Sequence, residues 1–99
     1  MDDVQPLSRS KIAEIVTTTV REVLPKAKID RVEVNRKGLT FPSDLGIAII
    51  FQGKGSIRLR GEKLSEVQAR ILSDLRKSGE ERSPHLRFLT AEEAKDLAA

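Results

Sequence analysis

Leu45-Gly46-Ile47-Ala48-Ile49-Ile50-Phe51 is the segment that most restricts how this chain folds. It is apolar at alternate positions of both parities, so a strand here presents non-polar side chains to each face of a sheet. That is the signature of a central strand covered on both sides, not of an edge strand with one face in water. A chain of 99 residues builds only one core around such a strand. We therefore expect a single α+β domain over residues 1–99, with residues 1–7 as a flexible N-terminal lead.

The chain has no cysteine, so neither disulfides nor thiolate-bound metal supports the fold. Core packing carries it alone or with a second subunit. Residues 8–24 place Ile12, Ile15, Val16, Val20, Val23 and Leu24 on one helical stripe, with Ser8 as N-cap, Leu7 stapled onto Ile12 and Pro25 as the stop. Residues 29–36 alternate, with Val32 and Val34 inward and Arg31, Glu33 and Asn35 outward. Residues 38–44 read as a loop punctuated by Pro42.

After residue 51 come Gly53-Lys54-Gly55 and a short alternating stretch, Ser56 to Arg60, which reads as a strand. Residues 62–78 form a second amphipathic helix through Leu64, Val67, Ile71, Leu72 and Leu75, with Glu66 and Arg70 as an i,i+4 pair. Gly79 takes the left-handed position past its end. His85 to Leu89 reads as a strand burying Leu86 and Phe88, and Thr90 with Glu93 caps a last helix over residues 91–97. The expected fold is helix-strand-strand-(short strand)-helix-strand-helix, with an antiparallel sheet and the two main helices packed on one face.

Chemical motifs are scarce. Gly53-Lys54 is followed by Gly55 where a phosphate loop requires Ser or Thr, and the stretch leads into a strand where that loop opens a helix. Three glycines between alternating apolar runs are instead what a hairpin turn requires. His85 is the single histidine, so catalytic or metal chemistry has few donors. The acid pairs Glu80-Glu81 and Glu92-Glu93 sit after a helix cap and in a helix first turn, positions where acids serve structure. We expect no catalytic residues, no metal and no cofactor.

The charge is placed unevenly. Residues 26–77 hold twelve Lys and Arg against six acids, within a chain of net charge +3. Arg31, Lys37, Lys54, Arg58 and Arg60 are the candidate anion or nucleic-acid contacts, if the strands pair in a simple meander. Glu33 lies in the middle of that face and pairs equally well with its arginines. Only three aromatic residues occur, all Phe, which leaves little for stacking bases.

The helix–strand–strand–helix–strand order over residues 8–90 resembles the type II KH-like arrangement of the ribosome-binding factor A family. The resemblance lies in element order; no motif carries it, and the short strand at 56–60 is additional. The reading that follows from the residues is a non-catalytic protein-interaction module, with another protein or a second copy of the chain as partner. A nucleic-acid- or ribosome-associated module using the basic segment 26–77 is the alternative. The longest apolar run is far too short for a membrane span, and the acidic start, Asp2-Asp3, is unlike a secretory signal. A cytoplasmic, soluble protein without a membrane partner is expected.

Overall fold

The computed structural model describes residues 7–35, 44–53 and 61–98. Six elements follow in order: α1 (Arg9–Val23), β1 (Ile29–Asn35), β2 (Asp44–Phe51), α2 (Gly61–Lys77), β3 (Ser83–Thr90) and α3 (Ala91–Ala98). The fold is α+β, with three helices and a three-stranded mixed sheet among the described residues.

Each helix end follows local chemistry. Ser8 Oγ accepts the Lys11 amide at 3.1 Å, so α1 starts where the hydroxyl satisfies an orphan donor. Leu24, preceding Pro25, leaves the helical region at φ −123°, ψ 69°. At the end of α2 the Gly79 amide donates to Arg76 O at 3.0 Å and the Glu80 amide to Leu75 O at 2.9 Å. That pair of hydrogen bonds requires a left-handed residue at the turn, and Gly79 supplies it at φ +97°. Thr90 and Glu93 cap α3 reciprocally: the Glu93 amide donates to Thr90 Oγ1 at 3.2 Å and the Thr90 amide to Glu93 Oε1 at 3.0 Å.

The strand order is β1-β2-β3, which puts the doubly apolar segment in the centre. β1 and β2 are antiparallel, with Val32 opposite Ile49 and Val34 opposite Ile47. β2 and β3 are parallel, pairing Ile47 with Leu86 and Ile49 with Phe88. An all-antiparallel sheet is therefore incorrect. The reason is the length of α2: its 17 residues rise about 25 Å, close to the span of an eight-residue strand. The helix carries the chain back to the start of β2, and β3 must then run the same way.

One core cluster unites Ile12, Val16, Val20 and Val23 of α1 with Val34 of β1, Leu45, Ile47, Ile49 and Phe51 of β2, and Val67, Ile71 and Leu75 of α2. Leu7, Ile15, Val32, Leu86 and Phe88 pack against it, half-buried. Ile50 points to the opposite face, where it lies beside Leu89 and is also buried; α3 packs on β2 and β3. Leu72, expected in the core, is instead 38% exposed. The expected strand at 56–60 and residues 38–43 of the loop expected over 38–44 lie outside the described residues. Asp44, expected in that loop, instead opens β2, and Gly53 just past β2 has the positive φ (+126°) that a turn glycine allows. Both sides of β2 are occupied, by β1 and by β3.

Candidate functional site

Of the five basic residues singled out in the sequence, only Arg31 belongs to the described residues; Lys37, Lys54, Arg58 and Arg60 lie outside them. Arg31 is not presented as a free cation. Its Nε donates to Glu33 Oε2 at 2.7 Å and its Nη1 to Asp30 Oδ2 at 2.6 Å. The hydrogen bond to Glu33 and the charge of that carboxylate, with those of Asp30, hold the guanidinium above its ordinary pKa. This is the acid–arginine pairing that the alternation of charges allows, made along one strand instead of across two. The expected Glu66–Arg70 pair is replaced: Glu66 takes Lys63 at 3.3 Å, and Arg70 reaches Glu22 of α1 at 3.5 Å and Asp74 at 4.0 Å.

His85 Nε2 stands 3.2 Å from Asp44 Oδ1, with the imidazole exposed and the carboxylate half-buried. Among the described residues no group of three His, Asp or Glu is arranged to hold a metal ion. No helix of the described residues is long and apolar enough to cross a membrane.

Glu80 has a larger structural part than its place after a helix cap suggests. Its carboxylate is 1% exposed and accepts the Leu7 amide at 3.2 Å, the Arg82 amide at 3.0 Å and the Arg82 guanidinium at 2.9 and 3.0 Å. Arg82 Nη2 also donates to Leu7 O at 3.4 Å. The Arg82 hydrogen bonds hold the carboxyl below its ordinary range against the opposing effect of burial. The charge is therefore used internally, pinning the start of α1 to the α2–β3 connection. The spacing Glu80-x-Arg82 just after a glycine cap was the available signal.

The feature most suited to a ligand lies along β3. Among the described residues β3 pairs only with β2, so from His85 to Leu89 its outer amides and carbonyls meet no second strand there. β1 also lies at an edge, but its register shifts between Ile29 and Arg31, and Asp30, Arg31 and Glu33 are exposed along it. A bulge of that kind twists the edge away from an added strand. β3 runs eight residues with no register shift against β2. Beside it a cleft of about 420 Å³ is lined by Gln68, Leu72 and Arg76 of α2 and by Ser83, Pro84 and Leu86 of β3. Leu72 is the exposed large apolar side chain among the described residues, and it stands in this cleft.

No family model matches the chain, and comparisons with curated proteins and with solved structures return no match.

Proposed function

We propose that this protein is a non-catalytic protein-interaction module that receives an extended segment of a partner along β3, beside α2. The observation that carries the reading is Leu72, exposed on α2 in a cleft whose other wall is β3, a strand with no partner on its outer edge among the described residues. Strand addition takes its affinity from main-chain hydrogen bonds and its selectivity from pockets for alternate side chains. The edge of β3 provides the first, and the space between Leu72, Pro84 and Leu86 the second. The reading takes both long helices as lying over one face of the sheet, so that α2 forms the wall of the groove, and places the protein in the cytoplasm.

The pairing of Arg31 with Asp30 and Glu33 supports a protein partner over nucleic acid, because it removes one cation from the candidate basic face. The test is a display selection of random peptides on the whole protein, with counter-selection on Leu72→Asp. Enriched sequences that bind the wild type and lose at least about tenfold on Leu72→Asp support the groove. Binding indifferent to Leu72, or no enrichment, contradicts it.

A further inference from the structure

The groove has a charge pattern that selects among extended partners, an inference that rests on the proposed function above. Any strand added to β3 places its alternate side chains on two faces. Those on the helix side meet Leu72, Pro84 and Leu86. Those on the other side stand beside His85 and Arg87, both exposed. The cations are the distinguishing element. Arg76 lines the cleft, whose lining among the described residues includes no acid. Neither Arg76 nor Arg87 makes an ion pair among the described residues, whereas His85 already faces Asp44. On α2 the exposed residues Ser65, Gln68, Leu72 and Arg76 follow one helical stripe that is likewise free of acids.

We propose that the occupant is an extended segment of a partner protein in which acidic residues alternate with aliphatic ones. The aliphatic side chains seat against Leu72 and Leu86, and the acids face Arg87. A further acid at the Ser83 end meets Arg76. A second copy of this chain is a poorer occupant. In a two-fold contact each copy contributes the same patch, so the seam gathers two Arg76 and two Arg87 with no acid from the described lining of either groove. Like charges brought together in this way oppose the association.

The test uses three labelled peptides of about eight residues, with aliphatic side chains at alternate positions and Glu, Ser or Lys between them. Each is titrated with the whole protein by fluorescence polarisation. We expect the Glu peptide to bind about five- to tenfold tighter than the Ser peptide at low ionic strength, and the gap to close in about 0.5 M salt. Arg87→Glu reverses the order in favour of the Lys peptide, with an unchanged circular dichroism spectrum. Equal binding of the Glu and Ser peptides, both sensitive to Leu72→Asp, overturns the acid preference and leaves the groove reading standing. Failure of all three peptides overturns the groove reading itself. Two results overturn the inference by naming another occupant: single-stranded RNA that displaces the Glu peptide, and a concentration-dependent dimer that Leu72→Asp dissolves.

Discussion

Glu80 and Arg82 form a two-pronged pair, Nε at 2.9 Å and Nη2 at 3.0 Å from the carboxylate, with the acid buried and the arginine half-buried. The same carboxylate holds the Leu7 amide. Glu80→Gln keeps the shape but replaces an acceptor oxygen by a donor nitrogen. It should cost ~1.5–3 kcal/mol, the range for hydrogen bonds to charged groups, in urea unfolding. The pH dependence has a definite sign. The folded carboxyl lies below its unfolded value, so its contribution is complete above about pH 4.3 and is lost as the pH falls through the folded value. Wild-type stability should decline over that acid window, and Glu80→Gln should show a shallower decline. Equal slopes in the two proteins would mean that another carboxyl governs acid unfolding.

Thr19 ties the two long helices together. Its hydroxyl is 2.6 Å from Asp74 Oδ2 and 2.9 Å from Ile15 O, and the residue is 1% exposed. Thr19→Val preserves the volume and removes the donor. It should cost ~1–2 kcal/mol, smaller than a deleted core side chain, because Asp74 keeps partial access to water and a contact with Arg70. Thermal unfolding of the single variants and of the Thr19→Val, Asp74→Asn double variant checks it. Strict additivity would show that the pair is not coupled.

Ile71 and Leu72 are adjacent and should behave oppositely. Ile71 is fully buried in the core cluster, so Ile71→Ala should cost ~2–5 kcal/mol. Leu72→Ala should fall within about 1 kcal/mol of the wild type, since its side chain is already partly in water. Comparable losses in chemical denaturation would return Leu72 to the core.

Gly53 is held at φ +126°, with nothing among the described residues within 4 Å of where a Cβ would stand. Space is therefore not the constraint; the backbone angle is. Gly53→Val should destabilise by ~1–3 kcal/mol through the angle alone, and Gly53→Ala by a smaller amount. A melting temperature unchanged in both variants would show that the β2 end adopts a negative φ at no cost.

Much of the fold was legible because its determinants are local. Ser8, Pro25, Gly79 and the Thr90–Glu93 pair each set a helix end through contacts with residues close by in the chain. The central position of residues 45–51 followed from their apolar character on both faces. What failed depended on contacts distant in sequence. The parallel pairing of β3 was hidden because strand direction is set by how far α2 travels, not by the pattern inside either strand. Leu72 shares the apolar period of α2, yet it falls at the margin of the buried stripe, where periodicity alone does not separate core from surface. The carboxylate of Glu80 looked like an ordinary acid after a helix because its partner Leu7 is 73 residues away. The candidate cations fared differently: Arg31 was correctly placed on the exposed side of β1, but local acids already engage it. The groove beside β3 is visible only once α2 and β3 are side by side.

The central claim, that β3 receives an extended partner, is tested most directly by amide hydrogen exchange followed residue by residue in the whole protein. The measurement compares the free protein with the protein saturated by a peptide selected on it. The outward-facing amides of β3 from His85 to Leu89 have no strand partner among the described residues and should exchange rapidly in the free state. With peptide bound, alternate amides of that stretch should slow by at least about tenfold, the mark of a new main-chain ladder. Binding that leaves every amide of β3 unchanged, or that protects β1 instead, would contradict the account.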